Sequence, residues 1–340
     1  MLIYAGIDEA GYGPMLGPLS VGASIFAVDG VETGSGAPNL WSRLDDVVCV
    51  TARDAKRRIA VADSKKLKGS NKAKAHPLRH LERGVLSFLA CRRGLADSDR
   101  GEGHHPPADD ASLFDALDAN LPTSARTPWY DSTTSLPVAH DAATLAIDAA
   151  RLDRGLEHAG VGLIGLRGTL VDAGEFNRRL AEGAGKAAIN LEVAMRLVAE
   201  IRRVARSVAP DATPRIVCDR QGGRAYYRDW LQDCFPDARI RILGETDRVS
   251  RYHLADAEGG FVIGFETGGE NRHLPVALSS MTAKYLRELA MIRLNRFFIR
   301  TAPNLRPTAG YVQDGRRFLA EIEPVIHEEG VDTAELVRRA

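Results

Sequence analysis

Apolar residues recur along this chain at two periods, and each change of period marks an element. Residues 2–8, Leu-Ile-Tyr-Ala-Gly-Ile-Asp, form a short apolar run that closes on a carboxylate and reads as a buried strand. Residues 9–18 are rich in glycine and proline and predict a turn or loop. Residues 18–28 then read as a second strand, joined to the first as a hairpin. Helical periodicity covers 75–93, 140–158, 187–208, 223–234 and 312–322, and short strands are expected at 214–219, 239–243 and 260–267. Residues 278–298 predict a long helix with Met281, Tyr285, Leu289 and Ile292 along one face. Residues 34–38 and 96–110 break the pattern. The second of these is too polar to pack and predicts a mobile loop. Strands alternating with helices predict an α/β layered domain.

Composition narrows this picture. The chain has 340 residues, 44% hydrophobic and 26% charged, which excludes a disordered chain, a collagen-like chain and a disulfide scaffold. No apolar run approaches the ~20 residues of a membrane helix. Residues 1–10 hold no basic segment with a small-residue cleavage site, so no signal peptide is expected. Cys49, Cys91, Cys218 and Cys234 are far apart and read as reduced thiols of a cytoplasmic protein. The 45 basic and 45 acidic residues cancel, which argues weakly against general nucleic-acid binding, yet the charge is segregated. Five of the eight lysines fall within 65–74; residues 97–118 carry seven acids and one arginine; residues 270–317 carry nine basic and three acidic groups.

Four segments could carry chemistry. Asp8 and Glu9 end the first strand and precede Gly11-Tyr12-Gly13. Buried adjacent acids need a partner or a metal, and the glycines let a ligand approach the backbone; a strand cap with an ordinary Gly-Pro turn is the alternative. Both acids can serve one site only if the strand ends or twists there, because successive side chains point to opposite faces. Ser64, Lys65 and Lys66 suit phosphate oxygens, or form a solvated loop. Asp219 repeats the pattern of an acid at a buried strand end beside glycines, as a metal ligand or a helix cap. Helical spacing puts Ser280, Lys284 and Glu288 on one face, either as a surface pair or facing a site. His104-His105 has no zinc-spaced partner, and His253 and His273 read as local packing or surface residues. Four carboxylates (Asp8, Glu9, Asp219 and Glu288) from three elements would repel one another without metal. Hard oxygen donors suit magnesium or manganese, and a metal pair can hold both the attacking water and the leaving oxygen of a phosphodiester.

These segments, in this order, resemble the type 2 ribonucleases H, ribonuclease HII and HIII. Gly6-Ile-Asp-Glu-Ala-Gly-Tyr-Gly-Pro-Met-Leu-Gly-Pro18 is similar to the family's opening motif, and Asp63-Ser-Lys-Lys-Leu67 to its second block. Asp219 falls where the third acid belongs, and 277–288 is similar to the segment carrying the fourth, here Glu288. Gly310-Tyr311 is similar to a late motif whose tyrosine packs on the substrate sugar. The resemblance implies a ribonuclease H-like α/β fold: a mixed central sheet flanked by helices, with a C-terminal helical part over about 278–340. The catalytic domain would comprise 1–95 and 160–325, with 96–160 inserted and a further insertion near 244–256. It implies an endonuclease that uses two divalent cations, Mg2+ or Mn2+, on Asp8, Glu9, Asp219 and Glu288. The substrate would be the RNA strand of RNA–DNA hybrids, or ribonucleotides embedded in DNA, and the products a 3′-hydroxyl and a 5′-phosphate. Substrate contacts would come from Gly11, Tyr12, Gly13, Ser64, Lys65, Lys66, Ser280, Lys284 and Tyr311. Tyr12 stands where the family usually has a basic residue. A nuclease of the same fold with a structured or DNA substrate, and a non-catalytic nucleic-acid-binding module, remain the alternatives.

Overall fold

The computed structural model describes residues 1–31, 36–70, 74–92, 105–119, 121, 124–220 and 224–339. His104, most of the expected loop at 96–110, and Gln221-Gly222-Gly223 lie outside them. The strands are Leu2–Ala10 (β1), Leu19–Val28 (β2), Val48–Cys49 (β3), Ile59–Ala60 (β4), Val161–Val171 (β5), Arg215–Asp219 (β6), Arg239–Glu245 (β7), Val249–Asp256 (β8) and Gly259–Glu266 (β9). The helices begin with Leu40–Arg43 (α1), Ser64–Leu67 (α2), Arg79–Ala90 (α3), Asp110–Ala116 (α4) and Ala142–His158 (α5). They continue with Ala173–Ala181 (α6), Lys186–Val208 (α7), Arg228–Cys234 (α8), Leu274–Thr301 (α9), Val312–Glu328 (α10) and Thr333–Leu336 (α11).

Seven strands form one mixed sheet in the order β5-β2-β1-β6-β9-β8-β7. The β1–β2 and β2–β5 pairs are antiparallel, and β6 runs parallel to both β1 and β9. The expected hairpin and mixed sheet are therefore present. The register sets Ile7 beside Cys218, so Asp8 and Asp219 leave neighbouring strand ends at the same level.

Helices cover the two faces unequally. On one face α9 lies directly on β1 and β2. It comes so close that a Cβ at Gly6 would fall 2.2 Å from Val276 N, and one at Gly22 2.3 Å from Ser279 O. The Ser279 hydroxyl donates to Gly6 O at 2.9 Å, and Ser24 donates to Pro275 O at 2.8 Å, which satisfies polar atoms buried in that contact. On the other face α7 packs Val193, Val198 and Ile201 against Ile3, Ala5 and Ile7. Leu113, Phe114, Trp129, Leu145 and Leu152, from within 96–160, join the same core as α9.

Two strands of the central sheet escape the sequence pattern, as do the short β3 and β4. β5 is interrupted by glycines that the packing requires: a Cβ at Gly168 would lie 2.3 Å from Leu286 Cδ1. β8 occupies most of the segment read as an insertion near 244–256, and it belongs to the central sheet. α9 starts at Leu274, four residues earlier than the periodicity indicates, with Pro275 in its first turn, where a missing N–H costs nothing. It is buried almost all round down to Phe298, so the face bearing Ser280 and Lys284 looks into the protein.

Candidate active site

The C-terminal ends of β1 and β6 open into a cavity of about 300 Å³. β1 runs on to Ala10, and the chain turns at Gly11, whose φ of 83° suits glycine. Asp8 and Glu9 nevertheless both line the cavity, although both lie within β1. Asp219 joins them from β6, as does Glu270, from the short turn after β9. Asp63, Ser64, Lys65, Ser280 and Lys284 also line the wall, and Gly11, Tyr12, Gly13, Pro14 and Tyr311 form the rim. The Ser280 hydroxyl donates to Ser64 Oγ at 3.0 Å, and Asp63 caps α2 by accepting from Lys65 N at 2.9 Å.

Two expected site residues stand elsewhere. Lys66 donates to Asn271 Oδ1 at 2.8 Å and does not line the cavity. Glu288 does not line it either; it is held between Lys284 at 2.7 Å and Lys68 at 2.9 Å. Burial alone would raise its pKa, but Lys284 and Lys68 outweigh that and hold it below the usual glutamate range. The helical spacing that put Glu288 beside Lys284 is real. It makes Glu288 a counterion of Lys284 rather than the fourth acid of the cavity. The cavity is lined instead by Glu270, and by Asp63, neither of which was among the expected site acids. The signal was present: Glu270 follows a buried strand and two glycines, as Asp219 and Asp8 flank theirs.

Electrostatics set this cluster apart. Burial pushes the Asp8 carboxyl well above its ordinary range, and the like charges of Glu9 and Asp219 push it further. Glu9 is pushed up to about 7 by burial and by Asp219, against Asn190 and Lys65. Asp219 rises to about 6 by burial with a contribution from Glu270, although the Gly269 amide donates to it at 3.2 Å. Glu9 Oε2 is buried with no hydrogen-bond partner. Among the described residues no group of three or more His, Cys, Asp or Glu side chains is arranged to hold a metal ion. The donor set still fits a hard divalent cation: carboxylates only, converging on one cavity, mutually repelling, with an orphaned oxygen.

Two buried arginines position the glycine loop, and the sequence reading found neither. Arg287 Nη2 donates to Leu16 O at 3.2 Å and Ala309 O at 3.0 Å, and a Cβ at Gly11 would fall 2.5 Å from its Cδ. Arg338 Nη2 donates to Gly11 O at 2.6 Å and also to Pro14 O. Their positions, 276 and 327 residues after Gly11, explain why local patterning could not find them. His273 bridges Tyr4 Oη at 2.5 Å and Glu266 Oε2 at 2.9 Å, the packing role expected of it.

The chain is similar to the type 2 ribonucleases H. Among solved structures it is similar to Bst-RNase HIII in complex with Mn2+, at 14% identity and a TM-score of 0.40, over 99% of this chain and 66% of that one. It therefore spans just under two thirds of that protein's length. It is also similar to the RNase HII of Archaeoglobus fulgidus, solved as a complex with PCNA, at 14% identity and a TM-score of 0.37, over 98% and 93% of the two chains. A third is ribonuclease H2 from Pyrococcus horikoshii OT3, at 12% identity and a TM-score of 0.38, over 98% and 92%. No protein-family model and no curated protein matches the chain. Likenesses of this degree carry no chemistry, so any ribonuclease H-like reading of the site stands on the motifs and on the carboxylate cavity.

Proposed function

We propose that this protein is a metal-dependent endonuclease that hydrolyses the RNA strand of RNA–DNA hybrids, or ribonucleotides embedded in duplex DNA. One observation carries the reading: Asp8, Glu9, Asp219 and Glu270 line a single cavity that also contains Lys65, Lys284 and two serines. Asp8, Glu9, Asp219 and Glu270 would hold divalent cations, Mg2+ or Mn2+. Bound there, the cations would supply an activated water and neutralise charge on the leaving oxygen. Lys65 and Lys284 would draw phosphate oxygens to the cavity as point charges. The backbone at Gly11-Tyr12-Gly13 would meet the 2′-hydroxyl, the handle that separates RNA from DNA. Tyr311, 52% exposed at the rim, would pack its ring on the sugar beside that hydroxyl.

The test is cleavage of end-labelled duplexes carrying one ribonucleotide or four in a row, with magnesium, manganese or chelator. An all-DNA duplex and Asp8→Asn protein run alongside. Metal-dependent cutting at the ribonucleotides, lost in the variant, is expected. Folded protein that cuts neither substrate would overturn the proposal.

A further inference from the structure

Cover on the α9 side of the sheet is uneven. Gly6 marks that face, because a Cβ there would strike Val276 of α9. The registers carry the same face outward: Gly6 pairs with Val217, Val217 with Gly264, and Gly264 with Arg251. One step along, Tyr4, Arg215, Val262, His253 and Arg241 follow one another across five strands. The main packing of α9 lies on β1, β2 and β5, with lighter contact to β6. Arg239 and Arg241 of β7 and Arg251 of β8 are exposed on this face, while Ile240 between them packs into the core on the other side. Gly260 and Gly264 leave the floor of β9 low beside His253 and Arg251.

This face joins the carboxylate cavity. Asp219 pairs in register with Glu266, and Glu266 accepts from Arg251 at 3.1 Å and Arg272 at 3.0 Å. The end of the β7–β8 hairpin is tied to the same place: Arg220 donates to Asp247 O, and Thr267 N to Arg248 O at 3.0 Å. Glu266 is the acid that meets Arg251 and Arg272. Asp256 is taken by Arg202 at 2.7 Å, and Glu245 by Tyr252. Positive charge is therefore in excess from Glu266 out to Arg239.

We propose that this open, arginine-lined half of the sheet docks the phosphodiester backbone of the nucleic acid flanking the cleavage point. The inference rests on the nuclease reading. It adds a substrate path that leaves the cavity past Glu266, away from the Tyr311 rim. Three inter-strand steps from β6 to β7 span about 14 Å, room for about four phosphates of one strand. Phosphate contacts fix position without reading sequence.

The experiment measures binding of a fluorescent RNA–DNA hybrid of about 20 base pairs to Asp8→Asn protein without metal, over a series of salt concentrations. Adding Arg239→Glu and Arg241→Glu should weaken binding about 10-fold and reduce the salt slope by about two. Arg196→Glu with Arg203→Glu, on exposed α7 positions of the opposite layer, makes the same charge change and should shift binding less than 2-fold. Arg239→Lys with Arg241→Lys should bind like the parent, which separates charge from folding. Parent and Glu variants that bind equally well, with equal slopes, would overturn the docking surface and leave the nuclease reading intact. A parent that binds no hybrid at all would overturn both.

Discussion

Two sets of carboxylates border α9, and they are treated in opposite ways. Glu82 and Asp110 are both 0% exposed. Glu82 accepts from Val138 N at 2.6 Å, Ala139 N at 2.8 Å, Tyr285 Oη at 2.9 Å and lies 3.0 Å from His140. Burial would raise its pKa, but those donors hold it below the ordinary range. Asp110 takes a two-pronged contact from Arg293, with Nε at 2.8 Å. At the cavity, Glu9 is only partly buried, yet its pKa is pushed up to about 7, and one of its oxygens has no partner. The difference separates structural from reactive acids. Glu82 and Asp110 collect donors from several elements, whereas the cavity acids also face one another, and Glu9 keeps one buried oxygen without a partner.

The comparison is broken most severely at Asp8. Asp8→Asn should lower cleavage by about 10³-fold, the loss expected when several kcal/mol of charge stabilisation vanish. The metal-free variant should unfold at an unchanged or higher temperature, because a repelling buried charge is gone. A clear loss of thermal stability together with retained cleavage would put Asp8 with the structural acids.

Asp110→Asn should show the reverse. It leaves Arg293 buried without its counterion, and the expected cost is ~3–5 kcal/mol of stability by denaturant unfolding. Turnover per folded molecule should stay near that of the unmodified protein. Glu82→Gln should follow it with a smaller cost of about 1.5–3 kcal/mol. Its penalty should shrink as pH falls through the ordinary glutamate range. The lowered pKa makes the Glu82 contribution present above that range and lost below it.

A sharper contrast lies between Glu270 and Glu288. Glu270→Gln removes an acid that faces Asp219, and cleavage should fall about 10²-fold. Glu288→Gln leaves Lys284 and Lys68 without their anion. It should alter KM several-fold through the freed Lys284 charge while kcat stays within about 3-fold. Steady-state kinetics on both variants decides the matter, and the opposite ranking would return Glu288 to the metal site.

That pair also shows what the sequence could disclose. Asp8, Glu9 and Asp219 were legible because each sits at the end of a short apolar strand beside glycines, and that pattern survives without tertiary knowledge. Most of the sheet was legible for the same reason. β5 was not, since its glycines answer to Ile25 and Leu286 on other elements. Nor were Arg287 and Arg338, which act on Gly11 from the far end of the chain. Glu288 was expected in the site from the resemblance of 277–288, and helical spacing reports who shares a face but not what that face meets. The burial of α9 on nearly every side decided it instead.

The smallest effect tests how the glycine loop obtains its charge. Tyr12 offers no cation between Gly11 and Gly13, yet the Lys186 ammonium lies 5.3 Å over its ring. Lys186 opens α7, so its position is set by a helix that also carries Asn190 to Glu9. Burial, and then Arg338, lower its pKa. A partly exposed cation–π pair is worth ~0.5–1 kcal/mol, so Lys186→Ala should weaken hybrid binding about 2- to 5-fold with kcat unchanged. If the lysine supplies the charge that residue 12 lacks, Tyr12→Arg in the Lys186→Ala background should restore the affinity. If it merely packs on the ring, the double variant should bind no better than Lys186→Ala, and the loop would rely on its backbone alone.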